Sequence, residues 1–344
     1  MLTVLTLVVR DGAGLREQVY MNKMRGLRYA AVMLLLVTAC AHTSPERSTG
    51  ADEAAGDGLL EVHFMDVGQG DGMLIRTPDG KNYLLDTGPS GARRQIFPYL
   101  EKLGITGLDG IIISHSHSDH AGGLYHFAGQ FEIGTLYSSG FFHPSKTNQR
   151  ALQRLLEMKV EHRKLKRGDA VQLGNKVTLK VLHPPARWKP REDQINDFSL
   201  IMKLSYGDID FLLTGDAELA AENSVLKAKL DLQSEVLKVG HHGSHTSSSP
   251  LFLDAVAPAY AVISCGRNNR YSHPHDETLD NLTKERHIKL YRTDEQGTIM
   301  VDTDGTEIHV HVLGEPETRY VPLLPGIWLG GTRWGDDAIL AAAA

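Results

Sequence analysis

From residue 60 onward, short apolar runs of strand length alternate with longer stretches of helical spacing. Residues 60–65 alternate in the manner of a strand. A glycine-rich turn over 66–72 follows, and 73–76 and 82–85 form a hairpin across Thr77-Pro78-Asp79-Gly80, strong turn chemistry. Residues 95–103 have apolar positions at a helical period, which requires Pro98 to sit in the first turn. Ile111-Ile112-Ile113 reads as a central strand buried on both faces. Helices are expected at 121–127, 151–160, 217–230, 251–256 and 277–286. Strands are expected at 171–182 (a hairpin about Gly174-Asn175), 197–204, 210–214, 234–239 and 259–264. Two more, 298–302 and 307–312, should close the second sheet. Alternation of strands and helices in two halves implies a layered α/β architecture. Residues 183–191, with His183-Pro184-Pro185, break regular structure and are expected to overlie a cleft. The chain is irregular from 316, where Trp328 and Trp334 lie among glycines.

The N-terminus follows a different pattern. Lys23, Arg25 and Arg28 precede an apolar core over 29–39, of signal-peptide length and too short to span a bilayer. It ends in Val37-Thr38-Ala39-Cys40, which looks like a bacterial lipoprotein cleavage box. The expectation is an exported protein anchored to a membrane through lipid on Cys40. Ala41 rather than Asp follows, which favours the periplasmic face of an outer membrane. Residues 1–20 contain Asp11 and Glu17, unlike a signal start, so Met21 or Met24 is the expected first residue. The expected organisation is an extension and signal peptide over 1–40, a flexible tether over 41–58, a folded domain over 59–313 and a tail over 314–344.

The whole chain has a formal charge of −6, and without residues 1–39 it carries 31 basic against 40 acidic residues, or −9. Such a balance repels polyanions and argues against a protein that coats nucleic acid non-specifically. The run His162-Arg163-Lys164-Leu165-Lys166-Arg167 reads as a solvated basic face. Of two cysteines, Cys40 is expected to carry lipid. Cys265, in an apolar strand pattern, is expected to be a buried, inert thiol.

The chemistry is concentrated just after the central strand, in His115-Ser116-His117-Ser118-Asp119-His120. Residues two apart point the same way in extended backbone, so His115 and His117 can converge on one cation while Asp119 and His120 turn to another. Imidazole nitrogen with carboxylate oxygen suits zinc or a similar divalent ion. This motif resembles the signature of metallo-β-lactamase-fold hydrolases. Phe64-Met65-Asp66-Val67-Gly68-Gln69-Gly70-Asp71, Leu84-Leu85-Asp86-Thr87-Gly88, Leu212-Leu213-Thr214-Gly215-Asp216 and Val239-Gly240-His241-His242-Gly243-Ser244 appear in that family's order. Together with Asn269-Arg270-Tyr271-Ser272-His273-Pro274, they are similar to the soluble hydrolase domain of ComEC-type competence proteins. The resemblance spans roughly residues 59–312 and implies a four-layer αββα sandwich.

It also implies roles for residues. His115 and His117 would hold one metal, Asp119 and His120 a second, and Asp216 would bridge both. His242, or else His241, would complete the second site. Asp86 would lie under the histidine loop and orient it. Asn196 stands where many members have a third histidine for the first metal, leaving that site to Asn196 oxygen or to His183. Two divalent ions, zinc or manganese, would supply a hydroxide and polarise the electrophile. Asp119 or Asp216 would accept the proton. His273 would donate to the leaving oxygen or hold a phosphate, with His241, Ser244, Arg267, Asn269 and Arg270 as substrate contacts. The leading expectation is a metal-dependent phosphodiesterase. The alternatives are a hydrolase of phosphocholine esters, lactones or thioesters, and a non-catalytic envelope lipoprotein that binds rather than cleaves.

Overall fold

The computed structural model describes residues 4–11, 14–21, 58–189 and 194–314. The expected signal peptide, Cys40, nearly all of the tether, and the tail with Trp328 and Trp334 lie outside the described residues. Chain contacts divide into a unit over 1–53 and a unit over 54–344. In the first, Val4–Asp11 and Gly14–Met21 pair as an antiparallel hairpin.

The second unit contains two sheets. One has eight strands in the order Ile308–Val312, Ile299–Thr303, Leu60–Phe64, Gly72–Arg76, Asn82–Thr87, Gly107–Ile113, Glu132–Ser138 and Glu161–Lys164. The other has seven, in the order Lys289–Arg292, Tyr260–Ile263, Val236–Lys238, Ile209–Leu213, Ile201–Tyr206, Thr178–His183 and Ala170–Gln172. Their facing sides share one core, which includes Val62, Phe64, Ile112, Met202, Phe211 and Val262. Helices Arg93–Lys102, Leu124–Gln130 and Lys146–Glu157 cover the outer face of the first sheet, and Leu219–Lys227, Pro250–Val256 and Asp276–Thr283 cover that of the second. The result is the four-layer αββα sandwich.

The central strand shows how the pattern encodes the layers. Side chains alternate along a strand. Ile111 and Ile113 pack under the helices while Ile112 packs between the sheets, so all three are buried. That strand starts at Gly107, ahead of its apolar run.

Two expectations are corrected, the basic run is solvated as expected, and two strands are added. Ile299–Thr303 and Ile308–Val312 belong to the first sheet, not the second. Ile299 lies opposite Phe64 and Val301 opposite Val62, so the returning chain pairs along the first strand and buries its own apolar face in the same core. Pro98 lies inside the helix, which begins at Arg93, before the apolar period starts. The basic run over 162–167 enters the edge strand Glu161–Lys164, whose residues are all exposed. Charged side chains on a sheet edge discourage pairing with another chain, which accounts for the run without a ligand. The strands Glu132–Ser138 and Lys289–Arg292 were not expected and complete the two parallel portions.

Candidate metal centre

Asp86, the penultimate residue of the strand Asn82–Thr87, has a left-handed conformation, with φ of 59°. Its carboxylate accepts hydrogen bonds from the Ser114 amide at 2.8 Å and the Ser114 hydroxyl at 2.6 Å. His120 Nδ1 lies 2.8 Å from the same carboxylate. The aspartate therefore grips both ends of the histidine loop, as the resemblance implied. Gly70 allows the neighbouring turn to close on this loop: a Cβ there would lie 2.3 Å from the Asp119 carbonyl.

With Nδ1 fixed, the Nε2 edge of His120 is turned to Asp216, 3.1 Å from its Oδ2. His242 makes the same arrangement from the other sheet. Its Nδ1 lies 2.8 Å from the Ser264 carbonyl, and its Nε2 lies 3.3 Å from Asp216 Oδ2 and 3.4 Å from Asp119 Oδ2. His120, Asp216 and His242 are buried, yet His120 Nε2, His242 Nε2 and Asp216 Oδ1 make no hydrogen bond. Buried polar atoms ordinarily have partners. Atoms left over at one point, of nitrogen and carboxylate oxygen type, fit a divalent cation. His115 Nε2 and His117 Nδ1 lie 3.0 Å apart, and His115 Nε2 is 3.9 Å from Asp216 Oδ2.

The four ligand types Asp71, His120, Asp216 and His242 also place atoms within 4.8 Å of one another. Asp71 nevertheless approaches the Nδ1 sides, at 3.9 Å from His120 and 3.4 Å from His242. Those edges already face Asp86 and Ser264, so Asp71 backs the site electrostatically rather than joining its ligands. Lys238 Nζ balances it at 2.8 Å.

Charge states follow from this geometry. Burial works against charge on His120 and His242, but Asp216 and the other surrounding carboxylates outweigh it and hold both well above the ordinary imidazole range, so a cation entering the site must displace a proton from each ring. Burial likewise works against charge on Asp216 and Asp119, yet the histidines outweigh it and keep both carboxylates well down. His115 is held low by burial and by His120 beside it, which leaves it as the neutral ring a metal needs. Burial and the charges of His241, His242 and His275 push His273 down to about 4. It is thus a neutral imidazole at neutral pH, and a hydrogen-bonding role fits it better than an acid role.

Between the two adjacent histidines, the geometry favours His242 as the ligand. His241 Nε2 is 3.8 Å from Asp216 Oδ2, and its Nδ1 turns to Glu218 at 3.0 Å. Both occupy left-handed backbone, with φ of 45° and 54°. Such non-glycine strain, of order 1–3 kcal/mol per residue, collects at functional sites. Asn196 faces the centre, with Nδ2 donating to Glu218 at 3.1 Å and Oδ1 buried without a partner. The Nε2 of His183 lies 3.0 Å from the Asp197 carbonyl and its ring packs edge-on to Trp188, while its Nδ1 is buried without a partner.

The expected substrate contacts divide. Ser244 Oγ lies 3.0 Å from Thr246 Oγ1, beside His241. Asn269 is instead committed to its own turn, donating to the Gly266 and His273 carbonyls and accepting from the Tyr271 and His273 amides. Arg267 donates to the Asp294 carbonyl, and Arg270 lies over the Tyr271 ring at 4.7 Å. Cys265 is buried and its thiol is pushed up to about 12 by burial, so it is no nucleophile.

Asp71, Lys238 and Glu218 were missed as functional residues. A lysine within the apolar run Val236-Leu237-Lys238-Val239 was the signal for the first pair, and a second carboxylate two positions after Asp216 was the signal for Glu218.

Residues 65–192 match the metallo-beta-lactamase superfamily. The chain belongs to that superfamily. It is 34% identical over 257 residues to "ComE operon protein 3" of Bacillus subtilis (strain 168), covering 70% of this chain and 32% of that protein. It is 33% identical over 277 residues to "Competence protein ComA" of Neisseria gonorrhoeae, covering 80% and 36%. It is 34% identical over 231 residues to "Recombination protein 2" of Haemophilus influenzae, covering 64% and 26%. The chain therefore spans about a third or less of the length of these curated relatives, and the ComEC-type resemblance stands for the domain. Among the described residues, no helix is long and apolar enough to cross a membrane. Superfamily membership and the buried Asp–His cluster together support a metal-dependent hydrolase.

Proposed function

We propose that the chain is a phosphodiesterase that works with two divalent ions, zinc or manganese. His115, His117 and the Asn196 oxygen would hold one, Asp119, His120 and His242 the other, and Asp216 both. The observation that carries this reading is the convergence of unpartnered His120 Nε2 and His242 Nε2 on Asp216. When bound, such ions supply an activated water at neutral pH and polarise the phosphoryl oxygen.

The chain's own groups do the rest. Asp119 is ionised, partly exposed and positioned to accept a proton. His241, steadied by Glu218, and neutral His273, with its Nδ1 buried and unpartnered, flank the centre as hydrogen-bonding groups for the oxygens of a tetrahedral anion. Ser244 and Thr246 add neutral donors. This density of donors suits a phosphodiester better than a planar amide. The test is a panel of bis-p-nitrophenyl phosphate, a lactone, a thioester and nitrocefin, with the full chain loaded with zinc or manganese. The expected result is turnover of the phosphodiester, lost on chelation and restored by metal. Turnover of the lactone or thioester alone would replace this reading with another ester class. Failure across the panel would favour a binding role in the envelope.

A further inference from the structure

The helices Leu124–Gln130 and Lys146–Glu157 pack side by side over the first sheet, and a cluster of cations lies on their outer surface. Tyr125 is its hub. The Arg150 guanidinium lies 4.7 Å from the centre of the Tyr125 ring, and that of Arg154 lies 4.8 Å from it. Hydrogen bonding and charge from these two arginines pull the Tyr125 phenol below its ordinary range. On the next residue, His126 Nε2 lies 3.0 Å from Ser90 Oγ and 3.5 Å from Arg93 Nη1. Burial, with the charges of Arg93, Arg154 and Arg150, holds His126 below the ordinary imidazole range, so one ring feels all three guanidiniums. Gly129 makes room for them: a Cβ there would lie 2.4 Å from Arg154 Nη2.

Crowding of like charges is a cost. Arg150 and Arg154 are four residues apart on one helix, a spacing at which like charges destabilise it. Carboxylates are plentiful in a chain of formal charge −6. Yet among the described residues no carboxylate forms an ion pair with Arg93, Arg150 or Arg154. Glu157, at the rim, accepts from Gln153 at 2.9 Å instead. Arg154 Nε donates to the Ala128 carbonyl at 3.1 Å, which fixes where its guanidinium points while the Nη donors keep no carboxylate partner. Arg150 and Arg154 border a groove of 810 Å³, lined also by Gln149, Gln153 and Met158. That volume is in the range of small-molecule sites.

We infer that this groove is a binding site for a phosphomonoester, its dianionic phosphate held by Arg150 and Arg154 within the field of Arg93. Guanidinium forks match the oxygens of phosphate, and packing against Tyr125 holds them ready for it. Three uncompensated charges suit a dianion better than a single carboxylate. The groove exceeds the size of phosphate alone and has room for the organic part of the ligand. A soluble phosphomonoester and the headgroup of phosphatidic acid share this chemistry. The site uses none of the groups of the metal centre and does not depend on the phosphodiesterase reading.

The experiment is calorimetric titration of glycerol 3-phosphate into the chelator-treated full-length chain, so that no metal at the centre competes for the phosphate. Vesicles of phosphatidylcholine with and without phosphatidic acid form the second arm. The expected result is saturable binding that Arg150→Gln and Arg154→Gln each weaken about 10–100-fold, the usual effect of removing a hydrogen bond to a charged group. Arg150→Lys should retain more affinity than Arg150→Gln, and His273→Ala should bind as the wild type does. Arg150 is exposed, so its replacement does not threaten the fold. Binding of glycerol 3-phosphate without vesicle retention would assign the site to a soluble ligand. Retention only by vesicles with phosphatidic acid, lost in Arg150→Gln, would assign it to the headgroup. Absence of binding in both arms, or binding that both arginine variants leave unchanged, would overturn the site.

Discussion

The Lys238 ammonium lies 2.8 Å from the Asp71 carboxylate, and neither side chain reaches solvent. Burial alone would raise Asp71, yet Lys238 and the histidines above it hold the carboxylate down, at about 2. The pair joins the two sheets, since Asp71 precedes the strand Gly72–Arg76 and Lys238 ends the strand Val236–Lys238. It places a fixed compensated charge behind the metal-facing histidines. Removing one partner strands the other charge in the interior, which typically costs about 3–5 kcal/mol. Lys238→Met should therefore lower stability by that order in denaturant titration. The double variant with Asp71→Leu should recover part of the loss. A loss below about 1 kcal/mol in the single variant would show that Asp71 is neutralised by other means.

Asp86 should act on the metal without touching it. It fixes His120 through Nδ1 and pins Ser114 at the root of the loop. Partners of this kind typically contribute about 10–100-fold in metal affinity. Asp86→Asn should weaken zinc by that factor in competition with a chelating dye. Unchanged affinity would remove Asp86 from the support of His120.

His183 gives a pH prediction away from the centre. Burial holds its ring down to about 4, against an ordinary 6.5. The folded state prefers the neutral ring, so the stabilisation is complete above 6.5 and is lost as pH falls toward 4. The full difference is on the order of 3 kcal/mol. His183→Gln, compared with the wild type in the presence of a chelator, should flatten the acid limb of stability over that window. Identical acid limbs would contradict the assignment.

His273 separates substrate contact from metal ligation. Its ring is 5.4 Å from that of His241 and 6.2 Å from that of His242, and its Nδ1 is buried without a partner. His273→Ala should lower kcat for bis-p-nitrophenyl phosphate by roughly 10²-fold, the usual effect of removing one transition-state donor, with metal content intact. Loss of metal along with rate would make His273 a ligand instead.

The layers and the site differ in how far the sequence revealed them. The run Ile111-Ile112-Ile113 announced a strand covered on both sides, and each isoleucine faces the layer that alternation assigns it. The histidine motif, Asp86, Asp216 and the His241-His242 pair stood out in the sequence because each accompanies an apolar strand in a recognisable order. The sheet membership of Ile299–Thr303 was not legible, because strand pairing over 200 residues of separation leaves no local mark. His241 and His242 could not be told apart by spacing, since left-handed backbone at both positions breaks simple alternation. Asn269 looked like a ligand-binding amide, and only the hydrogen bonds show it closing a turn. Lys238 read as a strand residue because its partner is 167 positions away in the other sheet.

The central claim is that Asp216 unites the histidines from both sheets into one metal centre. Zinc stoichiometry, measured by calorimetric titration of chelator-treated full-length chain, tests it most directly on the wild type and Asp216→Ala. Because the carboxylate serves both positions, the wild type should bind two ions per chain and Asp216→Ala should bind fewer, with weakened affinity. Undiminished zinc binding by folded Asp216→Ala, or no zinc binding by the wild type, would contradict the account.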